Sequence, residues 1–502
     1  MTTEKRITQV REIDKELTEL ARILELLQWD QEIQMPIKGV EQRAEQIECI
    51  SALIHKRYCS DVLAEHLAVL GADKESPPSN FSFSEQDWSL LQVLGREQRR
   101  KRRLPEALVR RLAREKALAF TVWKEAREKQ NFDVFSSVLK TLVELTREYA
   151  GYIGYKHEPY DALLNEYEPD ISTEQVELLF QELEEVLKEI IANTEEQKQF
   201  VSSLLDYKVP QEIQEAFHKI LLRKLGFDFQ RGRFDQSIHP FTCTLGSHDV
   251  RITTRYRKYM EAFFSTLHEF GHALYELQIS PQWYGTSVAE GTNLSIHESQ
   301  SRLWENIIGR SRAFWEYWYP SLQDHYQGPL KNTSLKDFLH NINKIQRGNI
   351  RVEADEVTYN LHIILRFRME RLLIQGKLMA KDASEYWNHY SKELLGVVPR
   401  NDLEGVLQDI HWAHASFGYF PTYALGNLCS AQIYHGMRQD IPNLMSDLQQ
   451  GHYENIVRWL ATHIHAYGKS KSTNEILESI SGESLTAHYY NKYLIERYRT
   501  SE

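Results

Sequence analysis

The chain has 502 residues, enough for one large domain or for two to four ordinary ones. Hydrophobic residues make up 42% and charged residues 26%, which is typical of a soluble globular protein with a sizeable core. The formal net charge of −11 is modest for this length, so composition gives no electrostatic reason to expect nucleic acid or an anionic membrane as a partner.

The N-terminal segment and the cysteines further narrow the class of protein and the kind of metal ligand expected. Residues 1–20 alternate in charge and lack the apolar core of a signal peptide. No apolar run approaches the roughly 20 residues that span a bilayer, so we expect a cytoplasmic protein. The four cysteines (Cys49, Cys59, Cys243 and Cys429) form no CxxC pair, and any bound metal is therefore expected to have nitrogen and oxygen ligands.

Helical periodicity dominates the chain. Apolar residues recur at three- and four-residue spacings in residues 13–33, 173–197 and 361–380. Residues 72–84 are predicted to form a surface loop. The basic run at 96–111 is predicted to be the solvated ends of two helices that meet at Leu104 and Pro105, with a nucleic-acid or partner-binding patch as the alternative.

One segment departs from the helical pattern. Residues 241–254, FTCTLGSHDVRITT, alternate β-forming residues about a four-residue turn and predict a short hairpin. A small β element next to an active-site helix gives an extended substrate a strand to pair with. No repeat, linker or shift in composition marks a boundary. The sequence therefore predicts a mainly α fold, one large and nearly all-helical domain over residues 1–502, with a small β element.

Residues 263–279, FFSTLHEFGHALYELQI, place three titratable groups in an apolar helix. His268 and His272 are four residues apart, so both imidazoles lie on one helix face about 6 Å apart and can bind one ion. Glu269 lies roughly 100° around the helix from His268, which suits a base acting on water better than a ligand. Burying these groups without partners costs several kcal/mol, and a divalent cation removes that cost. The pattern therefore indicates a metal site.

The third ligand is not determined by spacing. The glycine and histidine of the metzincin pattern are replaced by Tyr275 and Gln278, and Glu276 lies about 12 Å along the axis from His268. The next helical stretch offers three candidates, which are His297, Glu298 and Glu305. A glutamate there would complete the His₂Glu set of catalytic zinc enzymes, whose fourth position is left for water.

Several blocks, taken together, resemble the carboxypeptidase Taq-type zinc metallocarboxypeptidases. They are WDQEIQMPIKGVEQRAEQ at 29–46, HPF at 239–241, DVRIT at 249–253, HEFGH at 268–272, HESQ at 297–300, IRVEAD at 350–355 and GVLQDIHW at 405–412. They follow the family's order and span most of the chain. The proline that often follows a threonine–tyrosine pair in the family is replaced here by Asn360, which comes after Thr358 and Tyr359, just beyond IRVEAD.

The resemblance implies a nearly all-helical fold with a deep active-site groove, usually a homodimer, that removes single residues with broad preference from peptide C-termini. It implies one zinc ion per chain, with His268, His272 and Glu298 as ligands and Glu269 as the base; cobalt is the alternative metal, and the sequence does not determine whether it replaces zinc productively.

Further roles follow from the chemistry of peptide hydrolysis. The oxyanion needs a donor besides the metal, and we expect Tyr423, assisted by His411 or His239. A free carboxylate suits the planar fork of arginine, so Arg351 is the expected carboxylate-binding residue, with Arg251 as the runner-up. A structural ion pair with Asp249 is the alternative role of Arg251. His297, Asp355, Asp409 and His411 are also interpreted as groups that orient ligands or lie in the core, and His362 as a core histidine.

Two other functions use the same residues differently. A helical oligoendopeptidase or a dipeptidyl carboxypeptidase would share the zinc chemistry and differ in the groove beyond the cut. A non-catalytic helical scaffold would need an inactive site, and the intact HEFGH with Glu298 argues against it.

Overall fold

The computed structural model describes residues 1–74, 76–79, 81–194, 207–256 and 260–499. Twenty α-helices lie within these residues. The first ten are Thr3–Ile33 (α1), Val40–Tyr58 (α2), Asp61–Leu70 (α3), Glu85–Arg103 (α4), Glu106–Lys129 (α5), Asp133–Ile153 (α6), Pro159–Tyr167 (α7), Thr173–Thr194 (α8), Gln211–Leu225 (α9) and Glu261–Leu277 (α10). The others are Leu294–Arg302 (α11), Arg312–Tyr326 (α12), Leu335–Ile342 (α13), Glu356–Gln375 (α14), Ala383–Leu395 (α15), Pro421–Asp440 (α16), Leu444–Gln450 (α17), Glu454–His463 (α18), Thr473–Ser481 (α19) and His488–Arg499 (α20).

The sheet has three strands, β1 (Gly232–Gln236), β2 (Thr242–Gly246) and β3 (Asp249–Thr254), in the order β1-β3-β2. β2 pairs antiparallel with β3, which confirms the predicted hairpin, and β1 adds a parallel strand that the sequence analysis did not predict. A side chain at Gly232 would lie 2.4 Å from the Phe227 ring, so a glycine is needed where β1 enters the sheet. The mainly α fold with a small sheet beside the HEFGH helix is confirmed.

The periodic segments form helices as predicted. Residues 13–33 lie in α1, 173–194 form α8, and 361–375 lie in α14, while 195–197 are outside the described residues. The prediction for 361–380 was too long, because Gly376 adopts a left-handed conformation that ends α14 and residues 376–380 are not α-helical. The basic run forms the end of α4 and the start of α5, which meet at Leu104 and Pro105. The described residues of 72–84 connect α3 to α4 without a helix or strand, and 75 and 80 are outside the described set.

Two apolar clusters hold the helices together. The larger one runs from α5 to α20 and includes much of α10 and the apolar face of β3. The smaller one joins α1, α3 and α4 to Ile279, Trp283 and Val288, just after α10. Both clusters therefore contact the HEFGH helix or its continuation; one domain over residues 1–502 stays a prediction. Within the described ranges, no helix combines the length and the apolar composition needed to cross a membrane.

Candidate metal centre

Three side chains that could bind a metal ion converge where α10 meets α11. His268 and His272 come from α10 and Glu298 from α11, and one ligand atom of each lies within 4.8 Å of the others. Glu298 Oε2 is 3.6 Å from Nε2 of His268 and 3.4 Å from Nε2 of His272. Two atoms bound tetrahedrally to one ion at about 2.1 Å are separated by about 3.4 Å. The spacing and the N₂O donor set therefore fit a divalent cation.

Two glycines let Glu298 reach the histidines. A side chain at Gly271, inside HEFGH, would lie 2.4 Å from the backbone oxygen of Gln300 on α11. A side chain at Gly426 on α16 would lie 2.6 Å from Cγ of Glu298. Because α10 and α16 approach both faces of α11 this closely, the position of α11, which carries Glu298, is fixed by packing between them.

The ring nitrogens that face away from the shared point also have partners. Nδ1 of His268 is 2.8 Å from Oε2 of Glu305, and Nδ1 of His272 is 2.6 Å from Nδ1 of His297. Nε2 of His297 in turn lies 2.9 Å from Oε1 of Glu276. In the neutral form of each ring, these contacts place the proton on Nδ1 and leave the lone pair of Nε2 toward the site. The structure thus puts His297 and Glu305, two of the three candidates for third ligand, behind the histidines.

Arg302 contacts Glu298 on the side away from the two histidines. Its Nε donates to Oε1 of Glu298 at 2.6 Å, which leaves Oε2 toward the two histidines. Its guanidinium also lies 4.6 Å from the centre of the Tyr359 ring. Although burial opposes ionisation, Arg302 and the histidines hold the pKa of Glu298 well below its usual range. Glu298 is therefore a carboxylate at neutral pH. Sequence reasoning missed Arg302, although its position four residues after Glu298 was a usable signal.

The two histidines differ in protonation. Burial lowers the pKa of His272 to about 3, so its ring is neutral. Burial acts the same way on His268, but Glu298 and Glu305 outweigh it and raise the pKa to about 9. A ligand imidazole has to be neutral, so a cation that binds here displaces a proton from His268.

Glu269 lies beside the ligands on the same helix. It is 5% exposed, and Thr242 Oγ1 on β2 donates to its Oε2 at 2.6 Å. Burial raises the pKa of Glu269, as suits a group that accepts and returns a proton. Thr242 was not predicted; its alternation within the hairpin was the available signal, since every second side chain faces the same side of a strand.

A second constellation contains Arg351, Tyr423 and His411. Nε of Arg351 donates to Asp409 Oδ1 at 3.0 Å, and the guanidinium lies 5.1 Å from the centre of the Tyr423 ring. Nε2 of His411 is 3.4 Å from the Tyr423 hydroxyl. Tyr423 precedes Gly426 by three residues on α16 and so shares the helix face that contacts Glu298. The structure therefore brings these three residues together and close to the metal ligands.

The remaining predicted residues lie elsewhere. Arg251 makes two contacts with Asp249, at 2.9 and 2.8 Å, and stacks 4.3 Å from the centre of the Trp29 ring. Its cross-strand partner is Cys243, so it lies on the sheet face opposite to Thr242 and Glu269. His239 is exposed, and its backbone carbonyl accepts from Ser237. The strand pairing thus turns Arg251 away from Glu269, and no described hydrogen bond joins the His239 side chain to the HEFGH helix.

The other predicted supporting groups are buried or orient the backbone. Asp355 caps α14 by accepting from the backbone N–H groups of Val357 and Thr358. Asp409 lies between Arg351 and Arg366, and these two arginines hold its pKa below its usual range against the effect of burial. His362 is fully buried in α14, and burial holds its pKa well below the ordinary value.

Together the helical fold and the His-Glu-His site with a glutamate from the next helix define a metallopeptidase. The chain belongs to the Carboxypeptidase Taq (M32) metallopeptidase family, whose match covers residues 9–498. Carboxypeptidase 1 of Bacillus subtilis is 36% identical over 487 residues, 96% of each chain. Thermostable carboxypeptidase 1 of Pyrococcus furiosus is 40% identical over 478 residues, 94% of each chain.

Solved structures agree with this assignment. A Pyrococcus furiosus carboxypeptidase matches with a TM-score of 0.93 at 37% identity, covering 98% of this chain and 99% of that one. Metallocarboxypeptidase 1 of Trypanosoma cruzi matches with a TM-score of 0.93 at 30% identity, covering 99% and 100%. The predicted family and the predicted class of enzyme, a metallocarboxypeptidase, are confirmed.

Proposed function

We propose that the enzyme uses zinc, held by His268, His272 and Glu298, to release single C-terminal residues from peptides with broad side-chain preference. The observation that carries the proposal is the convergence of these three ligands beside a buried carboxylate, Glu269, with an arginine close by. Two imidazoles and one carboxylate suit zinc, and cobalt accepts the same set. When bound, zinc supplies a Lewis acid that polarises the scissile carbonyl and acidifies water.

The protein groups around the reacting bond have separate tasks. Thr242 binds one oxygen of Glu269 and leaves the other to take the proton from the attacking water and pass it to the leaving amine. Burial, as the main cause, raises the pKa of Tyr423 well above its usual value, so its hydroxyl keeps its proton and donates to the developing oxyanion. Burial lowers the pKa of His411 to about 3, so His411 assists as a neutral ring.

Arg351 is the proposed ligand of the substrate's free carboxylate. Its Nε and Nη2 contact Asp409 at 3.0 and 2.9 Å, and Nη1 donates to the Tyr359 hydroxyl at 3.0 Å. A guanidinium has five N–H groups, so within the described contacts one N–H stays available on each of Nη1 and Nη2. These two N–H groups can each donate to one oxygen of the substrate's carboxylate. Arg251, which lies on the sheet face that contacts Trp29, remains the second candidate, and His239 a further substrate-binding candidate.

A pair of peptides tests the specificity. The zinc-loaded enzyme is given one peptide as the free acid and as the C-terminal amide, and products are followed by mass spectrometry. We expect a ladder that shortens by one residue from the free acid, with the amide spared. Arg351→Ala should raise KM for the free acid and retain zinc. Internal cleavage of both peptides would identify an oligoendopeptidase, and release of residue pairs a dipeptidyl carboxypeptidase.

The resemblance also implies a homodimer, and the sequence pattern predicts a cytoplasmic location; we propose both. Light scattering coupled to size exclusion measures the oligomeric state of the zinc-loaded enzyme directly. A single monomeric species across the concentration range would refute the dimer. Fractionation of the native cells, with the chain detected by antibody, tests the location.

A further inference from the structure

A cavity of about 130 Å³ lies where the C-terminal half of α4 meets the segment that joins α7 to α8. Four arginines of α4 and two glutamates line it: Arg96, Arg99, Arg100, Arg103, Glu97 and Glu166. The basic run seen in the sequence is therefore more than a solvated helix surface, because part of it lines this cavity. The metallopeptidase chemistry makes no use of these residues.

Backbone carbonyls orient two of the four guanidinium groups. Nη1 of Arg99 donates to the backbone oxygen of Ala72 at 2.8 Å, and Nη1 of Arg103 donates to the backbone oxygen of Ile153 at 2.5 Å. A carbonyl acceptor restrains a guanidinium without cancelling its charge. The two side chains are thus held in place beforehand, and their remaining N–H groups can bind an anion without a large loss of rotamer entropy.

The charges around the cavity do not balance. Arg100 is neutralised by Glu166 at 2.7 Å, and the Tyr149 hydroxyl lies between the two side chains. Glu97 also lines the cavity, so the lining side chains, four positive and two negative, leave an excess of two positive charges; Asp73 near Arg99 and Lys116 near Glu166 add one charge of each sign outside the lining. Burial lowers the pKa of Arg99; Asp73 opposes this, whereas Arg103 and Arg96 add to it. These arginines therefore repel one another, and a bound anion would relieve that repulsion.

We propose that this cavity binds a phosphate group, as inorganic phosphate or as a monoester whose remainder extends into solvent. Arginine forks match phosphate oxygens in pairs, and a phosphate at neutral pH carries a charge close to −2, which balances the excess. A single carboxylate would balance half of it. The site lies apart from the residues that hold zinc and bind peptide, so its occupancy is independent of the peptidase assignment.

Calorimetric titration of the zinc-loaded full chain tests the proposal. Inorganic phosphate is one probe, and AMP, with adenosine as its phosphate-free control, is the other; chloride keeps the ionic strength constant. The test variant is Arg96→Gln with Arg99→Gln. The control variant is Arg110→Gln with Arg111→Gln, which removes the same charge from the exposed face of α5, where the side chains are 79% and 58% exposed.

We expect saturable phosphate binding by the wild type and the control, weakened at least about tenfold in the test variant, or ~1.4 kcal/mol. AMP binding that follows the same pattern, with none by adenosine, identifies a monoester site; binding of phosphate alone identifies the free ion. If neither probe binds the wild type saturably, or the test variant binds within twofold of it, the proposal is wrong. Unweakened binding by the test variant would mean that phosphate binds to zinc or elsewhere. Should the double variant fail to fold, Arg96→Gln alone is compared with Arg110→Gln by the same criterion.

Discussion

Gly426→Ala adds a single methyl group that is expected to displace Glu298, the proposed third metal ligand. The added carbon would lie 2.6 Å from Cγ and 2.8 Å from Cβ of Glu298. Comfortable carbon–carbon contact begins at about 3.5 Å, so Glu298 or its helix must move by about 0.9 Å. Metal–ligand distances tolerate about 0.2 Å. The displacement exceeds this several-fold, and we expect the Kd for zinc to rise at least about 100-fold, with a matching loss of activity at limiting zinc.

Zinc affinity is measured by competition with a chelator, and folding by circular dichroism and thermal unfolding. Gly436→Ala is the matched control, because it lies on the same helix and its added carbon would be 2.3 Å from Cγ2 of Ile480, far from any ligand. Both variants should lose roughly 1–3 kcal/mol of unfolding free energy through overpacking. Only Gly426→Ala should lose zinc. A folded Gly426→Ala that binds zinc within about threefold of wild type would refute the claim that α16 fixes Glu298.

Three further predictions concern single side chains. Glu269→Gln should retain zinc, measured by metal analysis, and lower kcat about 10²- to 10⁴-fold; wild-type turnover would exclude Glu269 as the base. His297→Ala should weaken zinc binding about 10- to 100-fold, because the Nδ1 proton of His272 loses its acceptor, and unchanged affinity would contradict that role. Glu370 is fully buried, and burial raises its pKa from 4.5 to about 7. The folded protein therefore binds the proton of Glu370 more tightly than the unfolded chain does. The resulting contribution to the free energy of unfolding is complete below about pH 4.5 and is lost, by at most about 3 kcal/mol, as pH rises through 7. Urea unfolding from pH 5 to 8 should show a smaller decline in the free energy of unfolding for Glu370→Gln than for the wild type. The amide accepts fewer of the three hydrogen bonds and so lowers stability at every pH. Equal slopes of unfolding free energy against pH would refute the prediction.

The sequence was most informative where structure depends on neighbours along the chain. Helix periodicity alone placed His268 and His272 on one face with Glu269 beside them, because residues four apart in a helix must be neighbours. Alternation predicted the hairpin that supports Thr242. The polar strand β1, GRFDQ, carries no such pattern, and it is a strand only because β3 provides its hydrogen-bonding partner.

Choices among residues far apart in the chain depended on packing. Periodicity offered His297, Glu298 and Glu305 equally, and the close approach of α11 to both α10 and α16, through Gly271 and Gly426, decides which carboxylate faces the histidines. The two arginines were also equivalent by type. A strand pairing turns Arg251 away toward Trp29, and the contacts with Asp409 and Tyr359 hold Arg351 beside Tyr423.

The sequence by itself therefore determined the helical class and the placement of His268 and His272 on one helix face with Glu269 beside them, because this placement follows from the local period of one helix. Only the tertiary structure decided the orientation of Glu298 toward the two histidines, the contact of Glu276 with His297, and the inward face of the basic run on α4. The contact of His297 with Glu276 joins α11 to α10 at 2.9 Å, and the contact of Arg99 joins α4 to the backbone oxygen of Ala72 at 2.8 Å. No spacing along the chain encodes such contacts, because they arise from how closely the helices pack.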